Sequence, residues 1–492
     1  MRETARHLDP GDISHVAIVR LAWPVAVSLL SYSVMNLVDT AFVAGIGESA
    51  LAGVGLGGVA ALALMSFSGG LVRGINILVA QASGAGRADK VVAFTSAGAL
   101  LALALGCLTA LLAHAIAPLL AHAAATEEAG TYASLYLGIR IIGSPVVLLF
   151  AALREASYGT GHTRGPMIAV VIGNLSNIAL DYAFVVWAEW GVAGVAWATV
   201  IANLVQLGVL WAGLPNLRAR LSLDMSEIRA VWLMGLPTGI QFSLKMGALA
   251  VFTVLLSTIG EIHMAAHQIV FYLARLSFLP ANALAAAASV LTGRAVGAGR
   301  AHLVRIIARR ALVLAIVYTG LCTIAALVGG AGIVAAFTDD PELTALCRRL
   351  LQIAALFLIA DGACTIARGV LRGTGDVRYP AVLGIIAAWA LTPTAAWVLG
   401  HHLGLGAVGG WLGLAAESLL SCALLWSRLV AASRSLQRLQ RAGVMGYGLL
   451  DERAAVATSA GRIPAAGCRA SASHQPGGGL RRARGESLRD DR

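Results

Sequence analysis

Long apolar runs recur along the whole chain and constrain its fold more than any other feature of the sequence. A helix needs about 20 apolar residues to cross the hydrocarbon of a bilayer. Runs of this kind predict spans at 17–43, 51–79, 91–118, 131–153, 166–187, 191–213, 231–257, 264–292, 308–334, 346–367, 380–400 and 406–430. Charged residues make up only 12% of the 492 residues and the mean hydropathy is +0.79, which excludes an ordinary soluble domain. The sequence therefore predicts an all-α polytopic membrane protein with about twelve transmembrane helices.

Basic and acidic residues alternate between successive connections. One set of connections is assigned the basic residues Arg87, Lys90, Arg154, Arg164, Arg218, Arg220, Arg229, Arg294, Arg300, Arg305, Arg309, Arg310, Arg368, Arg372 and Arg378. The other set carries Glu48, Glu127, Glu128, Glu189, Glu261, Asp339, Asp340 and Glu342. Because Lys and Arg concentrate on the cytoplasmic side, both termini are expected in the cytoplasm, with the chain in the plasma (inner) membrane. The net charge of +11 is then a topology signal, and no nucleic-acid partner is expected.

Short sequence patterns recur at nearly one spacing, which indicates an internal repeat. Pro24 and Pro237 are separated by the same distance along the chain as Gly84–Ala88 and Gly297–Ala301. A spacing longer by a single residue separates Gly159–Gly161 from Gly373–Gly375, and Pro166 from Pro380. Six spans fall in each half, and an even number returns the chain to its starting side. The halves are therefore predicted to be parallel repeats, two six-helix bundles around a central cavity, as in alternating-access carriers.

The repeat and the composition together predict five regions. These are a cytoplasmic N-terminus at 1–13, an N-terminal lobe at 14–215, a cytoplasmic linker at 216–230, a C-terminal lobe at 231–430, and a basic, disordered tail at 431–492. The tail lacks a sustained apolar period, and its basic residues suit contact with anionic membrane lipid.

The first span contains one carboxylate, Asp39. A charge within hydrocarbon costs several kcal/mol unless it is neutralised or paired, so an intramembrane acid is a functional-site hypothesis. Asn36 and Tyr32 precede it on the same helical face, and Pro24 is expected to bend the helix. The alternative is an acid that hydrogen-bonds to a neighbouring helix for packing alone.

Three segments of the sequence together resemble the multidrug and toxic compound extrusion family. They are the stretch from Pro24 to Asp39-Thr-Ala-Phe-Val-Ala-Gly45, the segment Leu371-Arg-Gly-Thr-Gly-Asp-Val-Arg-Tyr-Pro380, and its partial echo from Leu153 to Pro166. The resemblance covers about residues 14–430, and it is closest to the DinF-like branch because the fifth span carries Asn174, Asn177 and Asp181 on one face. It implies a cation-responsive cluster of Asp39, Asp181, Asn177 and Thr199, coupled to transport by bending of helix 1 at Pro24.

The depths of these residues support the same cluster. Counted from the predicted helix ends at 1.5 Å per residue, Asp39, Asp181 and Thr199 lie roughly 6–12 Å below the outer surface. Two carboxylates in one low-dielectric pocket disfavour simultaneous ionisation and could share a proton. Carboxylate, Asn and Thr oxygens could equally hold Na⁺. The sequence leaves H⁺ and Na⁺ open, and no other metal or cofactor is expected.

The C-terminal lobe carries four charges that fall near mid-membrane: Lys245, Arg275, Asp361 and Glu417. The other well-known branch of the family, the NorM-like exporters, has a Glu where this chain has Lys245, so a second cation site of that type is not expected here. The four residues are expected to form a neutralised network, or one of which a part faces the cavity and tunes substrate charge. The alternative is a purely structural set of ion pairs. With these four residues, the cavity candidates are Tyr32, Asn36, Asn174 and Asn203.

The predicted function is a cation-coupled antiporter that exports amphipathic, cationic organic compounds as a monomer. One alternative is a flippase for lipid-linked oligosaccharides, because such carriers share the two-bundle architecture and need cationic cavities. A second alternative is a membrane scaffold without transport, against which the internal repeat and the matched depths of the acids argue. No nucleotide-binding, hydrolase or metalloprotease motif is present, so an enzyme is not expected.

Overall fold

The computed structural model describes residues 13–124, 126–214, 224–335 and 338–441. Apolar runs become helices because hydrocarbon offers no partner to backbone N–H and C=O groups, which must pair within their own segment. The first half forms α1 (His15–Ala44), α2 (Glu48–Leu71), α3 (Arg73–Gly84), α4 (Ala88–Ala123), α5 (Glu127–Ile142), α6 (Ser144–Gly159), α7 (Arg164–Asp181) and α8 (Gly191–Ala212). The second half forms α9 (Met225–Ile259), α10 (Glu261–Gly297), α11 (Leu303–Ala335), α12 (Pro341–Gly373), α13 (Arg378–Ala395) and α14 (Ala407–Arg441).

Within the described ranges these helices supply the predicted number of membrane spans. Eleven segments are long and apolar enough to cross a membrane, and α5 and α6 make a twelfth if the pair, bent by 49°, is counted as one span. The spans are longer than their apolar runs, since α10 has 37 residues and extends past both ends of the predicted 264–292. The predictions of an all-α membrane fold and of about twelve spans are confirmed.

The internal repeat extends to the backbone conformation. Gly86 and Gly299 both adopt left-handed φ angles, +70° and +68°, at the ends of the repeated Gly-Ala-Gly turns. Glycine occupies such turns because it lacks the Cβ that makes this region unfavourable. Two π-helical segments also match, because Tyr182–Trp187 directly follows α7 and Ala396–His402 directly follows the equivalent helix α13. The two halves therefore share turns as well as sequence patterns.

Two faces of the protein are named here by their connections. The basic face holds the connections that follow α3, α6, α8, α10 and α12, and the acidic face holds the connections that alternate with them. The assignment of most of these basic residues to connections was wrong, because the helices continue beyond the apolar runs from which the spans were predicted. The residues that lie within helices are Lys90, Arg154, Arg164, Arg229, Arg294, Arg305, Arg309, Arg310, Arg368, Arg372 and Arg378.

The two lobes, α1–α8 and α9–α14, meet from the middle of their helices to the basic face. Ser66 and Ser243 pair across the lobes with 3.1 Å between their hydroxyl oxygens, and Gln81 donates to the carbonyl of Gly373 at 3.1 Å. Near the basic face, the first half of α1 packs into an apolar core with the second half of α10. Among the hydrogen bonds of the described residues, none joins the lobes closer to the acidic face. Toward the acidic face each lobe has an apolar core of its own, and we infer that the lobes diverge there around a central cleft that opens toward that face.

The predicted boundary regions fall partly outside the described residues. This applies to most of the N-terminus at 1–13, to most of the linker at 216–230 and to the tail beyond residue 441. Helix α9 begins at Met225, within the predicted linker, and α14 continues to Arg441, within the predicted tail.

Candidate functional site

Two carboxyl groups meet inside the N-terminal lobe. Asp39 lies in the last third of α1, and Asp181 is the last residue of α7. Both are buried, and their side chains are close enough to share a hydrogen bond. Asn177 lies one turn before Asp181 on the same face of α7 and is fully buried. The structure thus brings together the two acids that the resemblance and the depths had pointed to.

Neighbouring donors do not satisfy this carboxyl pair. Both oxygens of Asp181, one oxygen of Asp39 and both amide atoms of Asn177 are buried without a hydrogen-bond partner among the described residues. Carboxylate oxygens are acceptors only, so two ionised carboxylates in contact cannot satisfy each other. A buried polar group without a partner is costly, and a buried charge more so. The pair therefore has the chemistry of a site that takes up a proton or a small cation.

A cationic side chain that the sequence reasoning missed lies beside the pair. Arg140 of α5 interacts electrostatically with Asp39, and its guanidinium stands 5.8 Å from the ring centre of Tyr136. Arg140 is a charge inside a predicted span, which is the signal that could have identified it. It lowers the cost of a negative charge at the pair without donating a hydrogen bond to Asp181 within the described structure.

A chain of hydrogen bonds lies two helical turns from the pair, toward the middle of the membrane. Tyr32 donates its hydroxyl to Oε1 of Gln206 at 2.8 Å, and Gln206 donates from Nε2 to Oδ1 of Asn174 at 3.2 Å. Asn174 in turn donates to the hydroxyl of Ser31 at 2.6 Å. We call these four residues the Tyr32 network. It joins α1, α7 and α8, and Gln206, its central member, was not predicted.

Replacing Gln206 by Leu is expected to destabilise the protein by about 1–2 kcal/mol, because Tyr32 and the buried Asn174 each lose a partner. Denaturant unfolding of the purified protein in detergent measures the change. Asn203→Leu, one turn earlier on α8, is the matched control, since Asn203 donates only to the carbonyl of Thr199 in its own helix. Equal losses for the two variants would mean that the network adds nothing to stability.

The remaining candidates of the N-terminal lobe are less closely joined. Thr199 is buried on α8 and donates to the carbonyl of Val195, and no described hydrogen bond links it to either carboxyl group. The side chain of Asn36 is exposed, and Asn203 is half-buried. Pro24 is buried within α1, which continues through it as one helix. The bend expected at Pro24 stays a prediction.

The C-terminal lobe places three of its four predicted charges together. Lys245 Nζ lies 3.5 Å from Glu417 Oε1, and Thr392 donates to the other carboxylate oxygen at 2.6 Å. Asp361 accepts from Ser418 at 3.4 Å and interacts electrostatically with Lys245. Arg275 is exposed on α10 and has no ion pair within the described residues. The four residues therefore do not form one network.

The two positions of the C-terminal lobe that the repeat matches to Asp39 and Asp181 carry no carboxyl group. The repeat places Phe252 where the first lobe has Asp39, and Ala395 where it has Asp181. Phe252 belongs to an apolar core in α9, α10, α12 and α14, where its ring packs against His267 at 5.2 Å between centroids. Among the described residues, groups of three or more His, Cys, Asp and Glu that could hold a metal are absent. The carboxyl pair of the first lobe therefore has no counterpart at the two repeat-related positions.

Comparison with known proteins gives matches over most of the chain. A model of the MatE family matches residues 24–183 and 237–398, two segments that begin at the equivalent prolines of the repeat. The probable multidrug resistance protein NorM of Deinococcus radiodurans is 30% identical over 85% of this chain and 96% of its own length. The protein of the same name from Pseudomonas syringae is 29% identical, with 81% and 90% covered. An outward-facing structure of a multidrug resistance MATE family transporter of the MOP superfamily superposes with a TM-score of 0.79 at 21% identity, with 87% of this chain and 97% of that chain covered.

Proposed function

The chain belongs to the MatE family, which confirms the predicted resemblance, and on that basis we propose that it is a cation-coupled antiporter that exports amphipathic organic compounds by alternating access. Relatives named as probable multidrug resistance proteins support export of drug-like compounds. The alternation of basic and acidic faces supports a plasma (inner) membrane location with cytoplasmic termini. We further propose that the protein acts as a monomer. The compared relatives carry the name NorM, and assignment to the DinF-like branch remains a prediction.

The observation that carries this proposal is the unsatisfied pair of Asp39 and Asp181. An occupant of positive charge is needed there, and the two acids sit near the acidic face, which the positive-inside rule places outside the cell. Either H⁺ or Na⁺ fits. A proton would be shared between the carboxyl groups, whereas Na⁺ would also draw on the free amide oxygen of Asn177.

Helix α1 provides the physical link between cation and substrate. Its acidic-face half carries Asp39 and, two turns away, Tyr32, whereas its other half packs against α10 at the interface of the lobes. If a cation binds at Asp39 and shifts α1, the helix moves both where it borders the cleft and where it packs against the other lobe. Coupling then requires only that the cation and the substrate prefer different conformations, and the preference is reciprocal.

The test is ethidium transport by purified protein in proteoliposomes, with H⁺ and Na⁺ gradients imposed separately. We expect transport against the ethidium gradient under one of the two ion gradients and none after that gradient is collapsed by an ionophore. The active ion identifies the coupling cation. A correctly folded protein that moves neither ethidium nor a zwitterionic rhodamine dye under either gradient would contradict export of this kind.

A further inference from the structure

Four arginine side chains come together between the lobes, and the carboxyl pair does not account for them. They are Arg73 of α3, Arg154 of α6, and Arg368 and Arg372 of α12, which we call the arginine cluster. Arg73 interacts electrostatically with Arg154 and Arg368, and Arg372 interacts with Arg73 and Arg368. Like charges this close within a membrane protein are unfavourable without a counter-charge, which makes the cluster a functional hypothesis.

The helix directions aim these side chains into the cleft. All four residues lie on segments that run from the acidic face to the basic face, and helical side chains lean toward the N-terminus of their own helix. Arg372 accordingly reaches Gln241, near the middle of α9, with 3.2 Å between Nη2 and Oε1. Beneath them, the contact from Gln81 to Gly373 closes the lobes on the basic side. The four residues are nevertheless only half-buried, so part of their surface remains accessible to a ligand.

The cluster lacks enough acid to neutralise it. Glu155 is the carboxylate in its midst, 3.3 Å from Arg154 Nη2, and it also accepts from Asn76. Arg73 lies over the ring of Phe242, with 4.5 Å between its guanidinium carbon and the ring centre.

The neighbouring charged group of the C-terminal lobe does not balance the cluster. Lys245, Asp361 and Glu417 add one cation and two acids, and both acids interact electrostatically with Arg368. Five cations and three acids therefore remain in this part of the described structure, an excess of two positive charges.

The internal repeat gives the cluster a regular geometry. Arg154 and Arg368 have the same spacing along the chain as the Gly-Thr-Gly turns that follow each of them. They are equivalent residues of the two lobes, so the pseudo-two-fold axis places them on opposite sides of the cleft. Guanidinium groups present paired N–H donors that match the oxygens of carboxylate or phosphate. Within the described structure, Nε of Arg368 is buried without a partner, so donor capacity remains.

We propose that the arginine cluster binds an oxyanion, carboxylate or phosphate, carried by an amphipathic compound whose apolar part rests against Phe242. This inference rests on the proposed export function and deepens it, because it changes the favoured substrates from simple cations to zwitterionic and anionic amphiphiles. A cleft with an excess of one charge, enclosed by low-dielectric walls, concentrates ligands of the opposite charge. An oxyanion bound between Arg154 and Arg368 would contact both lobes and respond to their relative movement.

A matched pair of ligands tests the inference by equilibrium binding, without any ion gradient. The probes are a rhodamine ethyl ester, which is a cation, and its free carboxylic acid, which is a zwitterion at neutral pH, each titrated by fluorescence anisotropy into protein in phosphatidylcholine nanodiscs. We expect the wild-type protein to bind the acid about tenfold more tightly than the ester. Arg73→Gln and Arg372→Gln should each remove most of that preference and leave ester binding within about twofold. Arg73→Lys should retain part of it.

The control is Arg275→Gln, which removes an exposed arginine of α10 outside the cluster and should keep the wild-type preference. Asp39→Asn should keep it too, so that a failure of cation coupling and a failure of oxyanion binding give different results. The rhodamine acid could also bind in phosphatidylcholine nanodiscs and fail to bind in nanodiscs that contain phosphatidylglycerol. That result would support an oxyanion site at the arginine cluster and identify lipid phosphate as a competing occupant. Equal affinity of the wild-type protein for acid and ester, or an equal effect of Arg275→Gln, would overturn the inference.

Discussion

Replacing Asp39 by Asn is expected to abolish ion-driven efflux and leave the protein folded. Asn cannot bind a proton and makes a weaker Na⁺ ligand than a carboxylate, so the cation loses its differential affinity for the two conformations. Coupling energies between sites are typically worth about 5- to 150-fold, and we expect a loss at the upper end of that range or beyond. Proteoliposome transport under the active ion gradient measures it. Asp181→Asn should give the same loss, because the two acids act as one unit.

The same variant should be at least as stable as the wild-type protein. Two buried carboxyl groups with unsatisfied oxygens oppose folding, and an amide at one position can donate to the carboxylate at the other. Thermal unfolding in detergent is the measurement. Asp89→Asn is the matched control, since that side chain is 70% exposed at the basic face, and it should transport normally. Efflux by Asp39→Asn at the wild-type rate would show that the pair has no role in coupling.

The second large effect is expected at two glycines where the lobes cross. A Cβ at Gly84 would overlap the carbonyl oxygen of Arg294, and a Cβ at Gly297 would overlap the carbonyl oxygen of Gln81. Gln81 and Arg294 have the same spacing along the chain as the two glycines, so the two contacts are related by the internal repeat. Gly84→Ala or Gly297→Ala should therefore increase the separation of the two lobes at the basic face. Overpacking costs about 1–3 kcal/mol, which shifts a two-state equilibrium about 5- to 150-fold.

Spin-label distances measure that opening. Labels at Asp89→Cys and Arg300→Cys, in a variant without native cysteines, report the separation of the lobes at the basic face. We expect a longer mean distance in both glycine variants, together with slower efflux. Gly58→Ala in α2 is the control, because an added Cβ there meets no atom within 4 Å. An unchanged distance distribution in Gly84→Ala would mean that this crossing does not limit closure.

The spans and the repeat could be predicted from the sequence because both depend on local patterns. A helix that crosses hydrocarbon needs about 20 predominantly apolar residues, and a duplicated lobe repeats its turns, as Gly86 and Gly299 do. The similar depth of Asp39 and Asp181 in the membrane could also be predicted, because depth follows from counting residues along a helix of fixed rise.

The depth of a residue in the membrane does not tell which side of its helix faces the cleft, so this could not be predicted by counting residues. Arg275 lies at a depth similar to that of Lys245 but is exposed, whereas Arg368 joins the charged residues of the cleft. The arginine cluster was missed for a related reason. A helix that borders a polar cleft can carry charges inside a span, so Arg154 and Arg372 read as connection residues when spans are delimited by hydropathy. Gln206 was missed because a single amide in an apolar run gives no indication of its partner on another helix.

The most direct test of cation coupling is cation release by substrate in the purified protein. Ethidium added to protein in weakly buffered detergent solution, monitored by proton- and sodium-selective electrodes, should release one of the two ions in proportion to ligand bound. The Asp39→Asn, Asp181→Asn double variant should release neither while it still binds ethidium. Ethidium binding to wild-type protein without release of either ion, or equal release by the double variant, would contradict coupling at the carboxyl pair.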